Sequence, residues 1–343
     1  MTKSQHNLHS QNYIQISIPD MLNQPCQIVD VRSPDEYSEG SISNSINIPL
    51  LSNEERNLVG ILYKKFGQKK TIEEGYQILE PKLDVLKKWF ENIVTNKPIA
   101  VYCARGGMRS KVVTSLLKNW GYDAIQLSGG YKAYRSHVLT TIDSFKINHL
   151  FVLHGQTGVG KTLIINKLDN AIDLEGIAQH RGSLFGAIGK KPKSQKQFES
   201  GLFDRLLALD NSRPVFVEGE SRKIGKVSIP NAFFKQLLSG SVILLDAPVA
   251  TRASRITDEY IYNQKNAGPE IKVIIGKLKT ELGKKVVIDL QNKIDNCDYA
   301  ACFQYLLEQY YDKKYIHTIN QLDVLRSIDA DNLDQAVFEI NNL

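Results

Sequence analysis

PIAVYCARGGMRSKVVTSLLKN, residues 98–119, runs from a short apolar segment through a cysteine and a glycine pair into a helical pattern. Pro98 ends any helix arriving from upstream. Residues 98–103 have the near-continuous apolar character of a strand buried inside a parallel sheet. Arg109–Asn119 shows helical spacing and stops near Gly121. Between them, Gly106 and Gly107 let the backbone curl with its amide N–H groups inward. The helix N-terminus adds a partial positive charge, and Arg105 and Arg109 add full ones. Each of these terms stabilises a thiolate on Cys103, and the same cradle suits a sulfur-bearing anion or a persulfide on that cysteine.

Upstream, residues 25–32 (PCQIVDVR) predict a short buried strand and 46–50 (INIPL) a second extended piece. Residues 73–95 repeat Leu79, Leu83, Leu86 and Phe90 along one helical face. Downstream, 123–127 predict a strand, Ser128-Gly129-Gly130 a turn, and Tyr131–Ile142 a connecting helix. Strands alternating with helices imply an α/β domain with a mainly parallel sheet.

The pattern then restarts. Residues 149–154 (HLFVLH) predict a strand that leads into GQTGVGKT, residues 155–162. A helix opens at Lys161 and is expected to run to Leu168. This is the complete G-x-x-x-x-G-K-[ST] phosphate-loop pattern in its required strand-to-helix context. Gly155, Gly158 and Gly160 let the backbone wrap a phosphate, and Gln156, Thr157 and Val159 complete the loop. Lys161 supplies a charge, and the Thr162 hydroxyl is placed to ligand Mg²⁺ should the chemistry use it. Residues 214–218 and 241–246 predict two further buried strands, each ending at a carboxylate. Glu218 stands where phosphate-loop enzymes keep the acid that orients metal or water. Glu220, Ser221 and Arg222 follow it and suggest a site. Asp246 with Arg252 and Arg255 fits a surface ion-pair helix equally well. Beyond residue 250 the chain reads as helical. These patterns predict two domains, 1–147 and 148–343.

Composition narrows the class. The chain has 343 residues, 23% charged and 42% hydrophobic, ordinary for a soluble globular protein. No apolar run approaches the roughly 20 residues a bilayer crossing needs, and residues 1–13 lack an apolar signal core. The expectation is a cytoplasmic protein with no membrane partner. Of the four cysteines, Cys26, Cys297 and Cys302 are expected to be small buried hydrophobes, and no His/Cys group has zinc spacing. Net charge is +6, but Gly176–Phe198 contains no acid and holds Arg181, Lys190, Lys191, Lys193 and Lys196. Such a segment suits a polyanion, so Arg181, Lys190, Lys191 and Lys193 are expected to contact the phosphates of one. Arg181 could instead hold a small diphosphate.

The cysteine tract resembles the active-site loop of rhodanese domains. Ile28–Tyr37 looks like the rhodanese D-V-R-x-x-x-E-[FY] segment, and Gly40–Pro49 looks like G-H-I-x-x-A-x-N-[IL]-P, with Ser41 where a histidine is common. The likeness covers roughly residues 15–136. Cys103 and Arg109 also fit the Cys-x5-Arg spacing of some phosphatases. The order of the two motifs resembles the tRNA 2-selenouridine synthase family, as do the tracts Leu51–Gly60, Asp173–Gly189, Ser194–Ser200 and Val217–Gly225.

That resemblance implies replacement of sulfur by selenium at a wobble 2-thiouridine of certain tRNAs. Selenophosphate would be the selenium source, with selenophosphate synthetase the candidate for its hand-over. The route would pass through an S-geranyl intermediate made from geranyl diphosphate. Both reagents would be co-substrates, with no tightly bound cofactor. Cys103 would correspond to the essential cysteine and act as thiolate or selenium carrier. The loop 155–162 would hold the diphosphate. Three other readings fit the motifs alone: a sulfurtransferase with an NTP-binding regulatory domain, a kinase fused to a sulfur carrier, and a pair of degenerate binding modules. The intact Cys103 and Lys161-Thr162 argue against the last.

Overall fold

The computed structural model describes residues 14–93, 96–262 and 267–343, with the side chains of 317 and 318 excepted. By contact density the chain divides into two compact units, Met1–Thr140 and Thr141–Leu343.

The first unit is built on five strands: β1 (Gln15–Ile16), β2 (Gln27–Asp30), β3 (Ile46–Asn47), β4 (Ile99–Tyr102) and β5 (Ala124–Leu127). They lie in the order β1-β5-β4-β2-β3, and every pairing is parallel. β4 is central and all four of its residues are buried, as its unbroken apolar run requires. Leu86, Phe90, Val113 and Leu117 pack with Val29 and Val101 of the sheet. The apolar face expected over 73–95 is real but interrupted. One helix ends at Leu79, Glu80–Lys82 form a 3-10 turn around Pro81, and Leu83–Glu91 form the next helix. The helix that ends at Leu79 begins at Asn53, and no periodicity announced its residues 53–72.

The second unit carries β6 (Leu150–Gly155), β7 (Ala171–Ile172), β8 (Val215–Glu218), β9 (Lys223–Ile224), β10 (Val227–Ser228), β11 (Ser241–Asp246) and β12 (Val324–Asp329). β9 and β10 form a small antiparallel ribbon. The other five form a parallel sheet in the order β12-β11-β6-β8-β7. β6 sits in the middle, where successive connections turn to opposite edges. Open α/β sheets bind ligands outside the carboxyl ends of strands at such a switch point, and β6 delivers the loop 155–162 there.

Three expectations are corrected. The C-terminal third is not wholly helical, because β12 completes the second sheet. Its burial is irregular, with only Ile328 buried, so neither alternation nor an apolar run marked it. The helix opening at Lys161 ends at Ile165 rather than Leu168. Cys297 is exposed rather than buried, while Cys302 is buried and Cys26 half-buried.

Between Val249 and Ile319 lies a helical region whose core includes Ile256, Ile271, Val287, Leu290 and Phe303. Phe185 and Ile188 of the acid-free stretch insert into that same core. The Phe185 ring meets Phe303 at 6.0 Å and Tyr260 at 5.9 Å between centres, both edge-on. The stretch is therefore pinned by its apolar members while Lys191 and Lys193 are exposed.

Candidate active sites

The first site is the loop after β4. Cys103 is 3% exposed. Its carbonyl accepts from Tyr131 N at 2.8 Å, and Ala104 O accepts from Lys132 N at 2.9 Å, tying the loop to the helix Gly130–Ser144. Gly106 has φ +62°, and a Cβ there would stand 2.8 Å from Gly129 N and 3.1 Å from Leu127 O. Only glycine meets both demands. Ser110, in the first turn of the helix Met108–Asn119, places Oγ 3.2 Å from Cys103 Sγ. Buried Gln126 donates from Nε2 to Ser110 Oγ at 2.8 Å and to Gly106 O at 2.8 Å. With that donor in place, the serine hydrogen goes to Cys103 Sγ or to Gly107 O, also 3.2 Å away.

Arg109 is held by Glu36 in a two-pronged pair, at 2.6 and 3.1 Å. That pair keeps the Glu36 carboxyl below its usual range despite its burial. Arg105 is exposed. Beneath the loop, Arg32 and Asp30 form a buried pair at 2.6 Å, with the guanidinium 3.9 Å from the Tyr131 ring centre. Ser110 and Gln126 escaped the sequence reading. The signal for Ser110 was a serine seven residues after the cysteine, on the first turn of the following helix; none marked Gln126.

The second site is a cavity of about 370 Å³ in the second unit, lined by Thr157–Thr162 together with Glu175, Arg181, Lys190, Glu220 and Tyr260. Gly160 caps the helix Lys161–Ile165 with φ +100°, where a Cβ would meet Leu333 Cδ2 at 2.8 Å. Lys161 Nζ donates to Gly155 O at 3.0 Å, and Thr162 Oγ1 donates to Glu175 Oε2 at 3.1 Å. Arg255 donates to Val159 O at 2.7 Å, and Arg252 donates to Thr157 O at 3.3 Å. Arg252 is 2% exposed and locked to Asp312 at 2.8 and 2.9 Å. The surface ion-pair reading of Arg252 and Arg255 therefore gives way: both hold carbonyls of the phosphate loop.

Besides Asp258 and Glu259 of the lining, four mutually repelling carboxyl groups crowd this site. Glu218, at the end of β8, is fully buried; its Oε2 accepts from Glu175 N at 3.2 Å and its Oε1 has no partner among the described residues. Burial, then Glu175, Asp173 and Glu220, push its carboxyl well above the usual range. Glu220 is pushed up to about 7 by burial and Glu175, against the pull of Lys161. Glu175 and Asp173 are raised too, chiefly by burial. His154 is lowered to about 4 by burial and Lys161, and so is neutral at physiological pH. Burial thus disfavours negative charge on these carboxyls, which lessens the repulsion an anion would meet beside Lys161.

Other expected residues fall outside the cavity. Ser221 and Arg222 are exposed, with Ser221 Oγ bonded to Lys223 O at 2.8 Å and Arg222 to Asn231. Of the basic stretch, Arg181 and Lys190 line the cavity, while Lys191 and Lys193 are exposed. Arg181 is ion-paired with Glu259 and lies 4.8 Å from the Tyr260 ring centre.

Fold and loops together define a rhodanese-like domain, with a cysteine in its loop, followed in one chain by an α/β domain with a phosphate-loop motif. A model of the rhodanese-like domain matches residues 17–137, and a model of the tRNA 2-selenouridine synthase AAA domain matches residues 148–338. The chain belongs to the tRNA 2-selenouridine synthase family. It is 40% identical over 243 residues to the tRNA 2-selenouridine synthase of Nitrosomonas europaea, covering 68% of this chain and 63% of that one. It is 34% identical over 328 residues to that of Shewanella piezotolerans, covering 86% and 89%, and 33% identical over 318 residues to that of Hydrogenovibrio crunogenus, covering 84% and 88%. The matched region spans under two thirds of the Nitrosomonas relative's length. No helix among the described residues is long and apolar enough to cross a membrane.

Proposed function

We propose that this chain is a tRNA-modifying transferase that converts wobble 2-thiouridine to 2-selenouridine through S-geranyl-2-thiouridine. The carrying observation is an intact cysteine cradle and an intact phosphate loop in one chain of this family. In the first half-reaction the thiocarbonyl sulfur attacks C1 of geranyl diphosphate. The C–O bond breaks, diphosphate departs, and the N3 proton passes to solvent. In the second, selenium of selenophosphate adds at C2, the C–S bond breaks, and geranylthiol leaves with a proton. Water then cleaves the Se–P bond and releases phosphate.

Alkylation turns a poor leaving group into a neutral thiol, which explains a two-stage route. The second-unit cavity suits the first stage, because Lys161 and the loop amides offset charge growing on the departing diphosphate. Thr162 and an ionised Glu175 would be oxygen donors of the kind a hard divalent cation such as Mg²⁺ accepts, the cation displacing the proton that burial otherwise favours. Bound there, the cation would shield the diphosphate. Cys103, backed by Ser110, suits the second stage. Nucleoside mass analysis of tRNA from cells with and without the gene, grown on selenite, tests the reading. Loss of 2-selenouridine with the gene is expected, and an unchanged nucleoside profile sinks it.

A further inference from the structure

The longest helical element of the first unit, Asn53–Leu79, contributes nothing to the strand framework. It is two arms rather than one helix. Gly67 breaks it with φ +75° and ψ −174°, and Thr71 Oγ1 donates to Gly67 O at 2.7 Å. The arms fold back on each other. Glu55, at the start of the first, is ion-paired with Lys82, just past the end of the second. Val59 and Tyr63 of the first arm line the same cavity as Thr71, Ile72 and Tyr76 of the second. At about 1.5 Å of rise per residue, arms of roughly a dozen residues carry Gly67 about 18 Å from the Glu55–Lys82 closure.

The tip so projected has an unusual surface. From Arg56 to Ile72 there is no acid, and there are five cations: Arg56, Lys64, Lys65, Lys69 and Lys70. Every residue from Tyr63 to Lys70 is exposed. Tyr63 is 57% and Phe66 44% exposed, and Lys65 and Lys70 lie 5.2 and 4.4 Å from the Phe66 ring centre. Rings left in water contribute little to folding, and clustered lysines repel one another. A polyanion with free flat faces relieves both. Phosphates at the lysines release counterions, and unpaired bases stack on the rings. A duplex offers the phosphates without open base faces, and an apolar protein surface offers no charge match.

We propose that the hairpin tip Tyr63–Lys70 docks a single-stranded RNA loop, with Tyr63 and Phe66 as stacking platforms and Lys64, Lys65, Lys69 and Lys70 as phosphate contacts. This rests on the tRNA reading above and deepens it, assigning the tip to the loop end of the RNA. The position fits. The inner side of the hairpin encloses a cavity of about 300 Å³ that also reaches Met108 and Arg109, so one element joins the tip to the cysteine loop.

The test measures binding of an anticodon stem–loop RNA to the full-length chain across a salt series. Replacing Lys64, Lys65, Lys69 and Lys70 with Gln together should weaken binding. The slope of log K against log salt should flatten by about 0.7 per lost single-strand contact. Phe66→Ala should weaken binding about tenfold at every salt concentration with the slope unchanged, and Phe66→Trp should restore it. A fully paired duplex should bind wild type and Phe66→Ala alike. Thermal melting at the wild-type temperature, expected for exposed positions, shows that each variant is folded. If wild type binds the stem–loop and the lysine and Phe66 variants bind it identically, the tip is not the RNA platform, and the tRNA reading stands without it. A tip that serves a protein partner gives that same result. If wild type binds no RNA at all, the tRNA reading and the tip assignment fall together.

Discussion

At the residue scale two buried cysteines show opposite kinds of burial. Cys103 is covered yet served by donors, with Ser110 Oγ beside its sulfur and Gln126 behind the serine. Cys302 is covered by apolar neighbours, and burial pushes its thiol up to about 12, which leaves it inert. Cys103→Ala is expected to abolish 2-selenouridine formation while S-geranyl-2-thiouridine still accumulates and the fold is kept. Nucleoside mass analysis of tRNA incubated with the variant reads both products, and a normal 2-selenouridine yield would refute the assignment. Glu220 gives a pH prediction. Its carboxyl rises from 4.5 to about 7 on folding, so the unfolded chain loses that proton first. This contribution to stability is whole below about pH 4.5 and fades as pH rises through 7. Melting temperature should fall as pH rises from about 4.5 to 7 and level off above that, and Glu220→Gln should reduce that fall. Equal slopes for the two proteins would show that the shift is absent.

At the scale of elements, the strands that carry chemistry were legible because they are buried on both faces. β4, β6, β8 and β11 each read as an apolar run with a polar end, and a site lies at three of those ends. The phosphate loop is itself held by an element distant in sequence, since Asp312 fixes Arg252 and Arg252 holds Thr157 O. Asp312→Ala strands a buried guanidinium and is expected to cost about 3 kcal/mol or more by denaturant unfolding. It should also weaken diphosphate binding. Lys161→Ala should block S-geranylation in a reaction where Cys103→Ala does not, because the departing diphosphate loses its nearest cation. Equal loss of geranylation in the two variants would mean one shared site.

At the scale of the whole molecule, charge is what an RNA meets first. The acid-free stretch 176–198 divides by structure: Lys190 faces the cavity, while Lys191 and Lys193 face solvent. Replacing Lys191 and Lys193 with Gln should flatten the salt dependence of tRNA binding by roughly one unit per lost contact and leave geranyl diphosphate affinity unchanged. Lys190→Gln should weaken diphosphate binding as well. Calorimetric titration with each ligand separates the two outcomes, and a wild-type salt slope in the double variant removes this surface from the RNA path.

The sequence by itself determined what is local. A strand, a glycine turn and a helix start are neighbours along the chain, so Cys103 with its loop and Gly155–Thr162 with theirs were readable from spacing alone. Only the tertiary structure decided what comes from afar. It set Glu36 on Arg109, Gln126 behind Ser110 and Asp312 behind Arg252, because no periodicity couples residues that meet only when sheets and helices pack. It made β12 a strand, since a half-exposed edge segment takes its hydrogen bonds from β11 rather than from its own pattern. It also turned Arg181 into the cavity and left Ser221 and Arg222 outside it. Composition reports the charge of a segment, but packing of Phe185 and Ile188 chose which way its side chains face.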